Sequence, residues 1–498
     1  MPPPGNPSPP SLILSLGATF VVAVSSLQAE PEPASFGPLF HEFKLTLDLG
    51  HRTEAVSPFY YHELVGEPGD QTEIWAVPPL FSYALNKDTD YHQFAFLWKG
   101  LTFNRYGSEY RVQVVQILSS AGGLTQSETN VDRFTVFPIY FQQRSPIPEK
   151  NYTALFPLFG KIYNRMFRDE MRFVLFPLYG QSRKRDVVTD NYLYPVFHLR
   201  HGNSLTGWQF WPLLGHEHKD PTWRTNQWDE LETMGGHDKQ FVLWPIYFNH
   251  HTEIGTTNLS HQQAVVPFYN YLRSPSRDST SYLWPIGVTH TVDRQRQFVE
   301  LGAPWPLIVF AHGAGKTTRR VWPFYSDARN ASQTSRWYLW PVYKYNRLNS
   351  PPLDRERTRI LFFLYSDLSV KDTDGGRRLR QRDLWPLYTD RTELDGRHRL
   401  QLLSLLEPFL PNNTSVGRDL SPLWSVWRSE QNPRTGAASQ SLLWNLYRHD
   451  TTADTKKCSL LFGLFQYQSG PDRQRWRVFY IPFGKGQPSQ VAQDPAPR

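Results

Sequence analysis

Residues 171–197 read MRFVLFPLYGQSRKRDVVTDNYLYPVF, and the way this stretch repeats decides the fold class. It holds two copies of one pattern, aromatic, Pro, aliphatic, aromatic: Phe176-Pro177-Leu178-Tyr179 and Tyr194-Pro195-Val196-Phe197. Upstream the pattern occurs as Phe137-Pro138-Ile139-Tyr140 and Phe156-Pro157-Leu158-Phe159. Downstream it returns at Trp244-Pro245-Ile246-Tyr247, Trp322-Pro323-Phe324-Tyr325, Trp340-Pro341-Val342-Tyr343 and Trp385-Pro386-Leu387-Tyr388, with partial copies around Pro212, Pro267, Pro285 and Pro306. Most neighbouring prolines are 17 to 23 residues apart, and such self-similarity marks a repeat architecture.

Between motifs the chain is polar and carries turn formers, as in Thr373-Asp374-Gly375-Gly376 and Glu393-Leu394-Asp395-Gly396. A proline inside each apolar run excludes helix, and the aromatic and β-branched neighbours favour strands. The expected unit is strand, turn, strand, with the motif at the centre of a strand. A central proline removes a ladder donor, so each strand is expected to kink or bulge there. The late copies agree: Ser425, Asn445 and Gly463 take the proline's place in Trp424-Ser425-Val426-Trp427, Trp444-Asn445-Leu446-Tyr447 and Phe462-Gly463-Leu464-Phe465.

These features predict an all-β repeat body over 30–484, an up-and-down meander of about twenty antiparallel strands. A closed barrel is the favoured architecture. A propeller or a soluble curved sheet or solenoid is the alternative, because the apolar run around Pro386 is shorter than the 9–11 residues a membrane-crossing strand needs.

The 498 residues carry 17 Trp, 25 Tyr and 32 Phe, ample for packing despite a mean hydropathy of −0.52. A net charge of +7 is spread along the chain rather than gathered in a basic arm, so no nucleic-acid partner is expected. Residues 11–27, SLILSLGATFVVAVSSL, followed by Gln28-Ala29 and EPEPAS, read as a signal peptide over 1–29, with the mature chain starting near Glu30. The single cysteine, Cys458, permits no intramolecular disulfide, and its strand-like setting indicates packing. Export without disulfides points to the outer membrane, periplasm or cell surface of a Gram-negative-type bacterium, where sequons at Asn151, Asn258, Asn330 and Asn412 are chance matches. Residues 485–498 are expected to be a disordered tail.

Signatures of catalysis are lacking: the chain has no Gly-x-Ser-x-Gly and no His-Glu-x-x-His. His312-Gly313-Ala314-Gly315-Lys316-Thr317-Thr318 lacks the first glycine of a phosphate loop and reads as a hairpin turn. Chemistry is densest in an insertion over 214–239, which holds His216, His218, Asp220, Asp229, Glu230, Glu232, His237 and Asp238 beside Trp223 and Trp228. Such residues can bind a metal or act on glycans, but a solvated surface loop is the favoured reading. Arg336-Trp337-Tyr338 and Arg475-Trp476-Arg477 could stack on sugars, although packing accounts for aromatics at repeat spacing.

The expectation is therefore a non-catalytic exported protein with no catalytic, cofactor or metal residues and no cofactor: an outer-membrane barrel or an envelope scaffold or transport component. The alternatives are a soluble periplasmic or surface module binding polysaccharide or protein, and a glycan hydrolase using the acids of 214–239. Possible partners are outer-membrane lipid and envelope polysaccharide.

Overall fold

A computed structural model describes residues 36–123, 131–411, 413–471 and 474–483. The expected signal peptide, the start near Glu30 and the tail fall outside them. The described chain is all-β, and its main sheet is an antiparallel meander of 43 strands in which each strand pairs with its neighbours in sequence.

That number corrects the expected twenty, and the reason is the position of the proline. Val174 pairs with Tyr179, so Leu175-Phe176-Pro177-Leu178 is the connection between strands Arg168–Val174 and Tyr179–Lys184. Leu155 likewise pairs with Phe159 and leaves Phe156-Pro157-Leu158 as a three-residue turn. The motif is thus a hairpin turn and not a kinked strand centre, and one repeat holds two strands and two turns. A turn needs no ladder donor from the proline, which removes the conflict that a central strand would create. The X-Pro bonds of these turns are cis. Positive φ serves these turns with or without proline: Leu175 and Leu193 adopt 47° and 50° in proline turns, and Leu443, Trp444 and Asn445 adopt 40°, 54° and 72° where proline is missing.

The Pro-type turns all lie along one rim of the sheet. Polar connections, such as Gly202-Asn203-Ser204-Leu205 and Asn330-Ala331-Ser332-Gln333, lie along the other. Side chains alternate between two faces. One face has a row of small or polar residues next to the apolar rim, including Ala154, Gly160, Gly180 and Ser281. Pre-proline rings fold over this row: Phe156 packs on Phe173, and Phe156 and Phe176 cover the cluster of Phe141, Tyr152, Ala154, Ile162 and Phe173. Small residues are required beneath those rings. At Gly302 a Cβ would fall 2.7 Å from the ring of Trp305, which precedes Pro306.

The first and last strands, His41–Lys44 and Ile481–Phe483, each have only one ladder partner. No backbone ladder closes the described sheet. Its ends nevertheless meet through side chains: Phe36 lies 6.0 Å from Tyr480, Arg448 stands 3.8 Å over Phe43, and Phe59 lies 6.2 Å from Trp444. A connection of residues 403–426, absent from the all-strand expectation, contains the short helical segments Val416–Leu420 and Ser421–Trp424 and packs into this seam. Its Asp419 accepts a 2.5 Å hydrogen bond from the Tyr61 hydroxyl.

Candidate functional site

The feature that sets this molecule apart from an ordinary sheet is its apolar rim. Leu178, Leu193, Ile246, Leu283 and Phe324 occupy turn positions and are exposed, Leu283 and Phe324 by 62% and 61%. Turn after turn presents the same composition, so the exposed residues form one continuous strip rather than scattered single contacts.

Immediately behind the turns, on the face opposite the small residues, runs a cross-strand row. Val136 pairs with Tyr140, Tyr140 with Leu155, Leu155 with Phe159, Phe159 with Val174, Val174 with Tyr179, and Tyr179 with Tyr192. The row resumes with Val321, Tyr325, Tyr338, Tyr343, Ile360, Tyr365, Leu384 and Tyr388. The residue entering a turn is mostly Val, Leu, Ile or Tyr, and the residue leaving it is mostly Tyr or Phe. Two residues further in, much of the same face turns polar, with Arg172, Gln181 and Asp190 in register, and Asp367, Arg382 and Asp390 likewise, while the exposed pairs Leu199 with Trp208 and Leu301 with Phe310 keep it apolar in between. From rim inward the order is aliphatic tip, ring, tyrosine belt, then charge. At roughly 3.3 Å per residue the apolar zone is about 10 Å deep.

The rim's backbone is also satisfied internally. Phe176 N donates to Pro157 O at 2.7 Å, Tyr194 N to Pro177 O at 2.8 Å, and Trp244 N to Pro212 O at 2.7 Å. Each turn is tied to the one before it, so donors that a lone turn would leave to water are occupied. Rings follow in the same order, tilted against one another: Phe156 and Phe176 with centroids 5.4 Å apart, Phe176 and Tyr194 5.6 Å, Trp211 and Trp244 6.0 Å.

The chemistry-rich stretch at 214–239 divides into two places. Leu214–Lys219 and Gly236–Val242 are strands of the main sheet and bring its histidines next to acidic residues. Asp238 lies 3.2 Å from both His216 and His218, His218 lies 3.2 Å from Asp220, and His237 lies 2.7 Å from Glu217. Burial pushes the Asp238 carboxyl up, yet hydrogen bonds from His216 and His218 outweigh it and hold the pKa below the usual range. Hydrogen bonds to Asp220 and Asp238 raise His218. Asp229, Glu230 and Glu232 sit apart, on or beside a separate hairpin of Thr222–Thr225 and Leu231–Met234 whose Trp223 and Trp228 are exposed. Among the described residues no group of three or more His, Cys, Asp or Glu could hold a metal ion.

Elsewhere, Trp337 is buried on the small-residue face, whereas Tyr338 belongs to the exposed belt and Arg336 pairs with Asp327. Trp476 is exposed and lies tilted against Tyr467, with ring centroids 4.5 Å apart. Gly313 and Lys316 flank a hairpin turn, and Lys316 pairs with Glu300. Cys458 is half-buried beside Tyr447. Sequence reasoning singled out neither the rim as a surface nor the buried arginines of the seam. Comparison with known proteins finds no matching family model and no matching curated protein.

Proposed function

We propose that this chain is a non-catalytic, exported scaffold of the cell envelope that rests on a lipid bilayer by its apolar rim, inserting without spanning. The observation that carries this reading is the ordered rim: exposed aliphatic turn tips, a belt rich in tyrosine, then charge, within about 10 Å. Interfacial insertion reaches about 5–10 Å into a leaflet, and tyrosine and tryptophan favour the headgroup level. A spanning barrel needs an outward apolar band of about 25 Å, more than this profile supplies. Turn-to-turn hydrogen bonds support the same reading, since backbone entering lipid must be satisfied within the protein. Export rests on the apolar stretch 11–27.

The test is flotation of the purified protein with phosphatidylcholine vesicles, together with tryptophan quenching by lipids brominated at defined depths. The expected result is co-flotation, with quenching strongest for shallow bromines. Burying one such side chain contributes about 1.5–3 kcal/mol, so the triple variant Leu178→Asp, Leu283→Asp, Phe324→Asp is expected to lose at least about 100-fold in vesicle affinity while folding normally. Quenching strongest at the bilayer centre would favour a spanning barrel. Failure to float would favour a soluble module whose rim is covered by a partner protein.

A further inference from the structure

Where the two ends of the sheet meet they enclose a cavity of about 490 Å³ lined by seven arginines and six carboxylates. The buried carboxylates are engaged. Glu54 is held by Arg52, Ser57 and Asn445, Glu407 by Arg399 and Ser421, and Glu430 by Arg428. Two guanidiniums are under-matched. Among the described residues Arg391, 5% exposed, meets only Asp383, 2.7 Å from its Nη1, and that carboxylate oxygen already accepts from the Thr389 hydroxyl at 2.7 Å. Its Nη2 has no hydrogen-bond partner among the described residues.

Arg399 stands directly across the ladder from Arg391, and its Nε also lacks a partner. Like charges facing each other across two strands repel, and burial intensifies this. Burial lowers the Arg399 pKa despite Glu407, and Arg428 and Arg391 push in the same direction. The buried hydroxyl of Ser425, on the same cavity wall, has no partner either. A tetrahedral oxyanion has the charge and the acceptors to satisfy all three, and arginine pairs with it through parallel N–H bonds.

We propose that the seam cavity binds a phosphate-bearing ligand, its oxyanion held by Arg391 and Arg399 with Ser425 as a further donor. The cavity is larger than the ion alone, which leaves room for a body of about sugar size. The site faces the interior of the seam and is independent of whether the rim meets lipid.

Calorimetric titration of the full chain with inorganic phosphate and with glucose 6-phosphate, at constant ionic strength, tests it. Glucose serves as the uncharged control. Saturable heats are expected for both phosphates and not for glucose, with a dissociation constant of about 1 mM or tighter. The wild-type protein should also broaden the phosphorus resonance of inorganic phosphate. R391Q should weaken binding at least tenfold, and should R391Q fail to fold, S425A is expected to weaken it several-fold. Absence of both saturable heat and broadening with the wild type would overturn the proposal. So would unchanged affinity in a folded R391Q, or in S425A where R391Q does not fold.

Discussion

At the residue scale, the seam shows how the sheet's ends can be joined without a ladder. Arg52 is buried between Glu54 at 3.0 Å and Glu63 at 3.2 Å, with its guanidinium 3.7 Å above the ring of Tyr61. Removing one member of such a group strands the others as buried charge, which costs about 3–5 kcal/mol. Arg52→Met is therefore expected to lower the unfolding free energy by that amount in urea denaturation. Arg294→Met is the contrast, because Arg294 and Asp278 pair in the open, with Arg294 half exposed, and exposed pairs contribute under about 1 kcal/mol. Equal effects of the two substitutions would mean that water reaches the seam. None of these partners could be read from sequence: 358 positions separate Tyr61 from Asp419 and 391 separate Glu54 from Asn445, and only the closing of the ends brings them together.

At the scale of elements, the sequence carried the repeat and its antiparallel β character but put the turn in the wrong place. The interchange of Pro177 and Pro386 with Asn445 and Gly463 was the usable signal, because those residue types share turns more than strands. The apolar neighbours masked it, since solvent-facing turns are ordinarily polar and these are Leu, Trp and Phe. That same anomaly is the candidate site. It was legible as a motif but became a surface only when the meander laid every copy along one rim. The hairpin of Thr222–Thr225 and Leu231–Met234 is a separate matter, since it pairs only with itself. Lys219 and His237 still pair beneath it, so deleting residues 222–234 leaves a four-residue connection. Loop length changes entropy by only about 0.6 kcal/mol per doubling, and melting temperature and β circular dichroism are expected to stay at wild-type values. A large drop in melting temperature would show that Trp223 and Trp228 support the sheet in solution, which their exposure argues against.

At the scale of the whole molecule, joining the ends by buried polar groups makes the seam sensitive to pH, and His41 is the group that sets the window. It lies on the first strand, paired with Glu54, and is almost fully buried. Burial lowers its pKa from 6.5 to about 3, and the charges of Arg448 and Lys457 act in the same direction. The folded protein therefore keeps His41 neutral, whereas the unfolded chain takes up a proton near 6.5. Stability from this group is complete above pH 6.5 and is lost progressively as pH falls from 6.5 towards 3, at up to about 1.4 kcal/mol per pH unit. Glu430 acts in a lower window: burial raises its pKa, but Arg428 and Arg399 outweigh that and hold it below the usual carboxylate range, so its contribution fades only as pH falls below about 4. Between pH 6.5 and 4.5 the wild-type protein should accordingly lose on the order of 2–3 kcal/mol in urea denaturation, and His41→Gln, which cannot take up the proton, should lose much less over the same range. Parallel pH profiles for the two proteins would show that His41 is protonated in the folded state, and that the first strand does not bury its ring against Arg448 and Lys457.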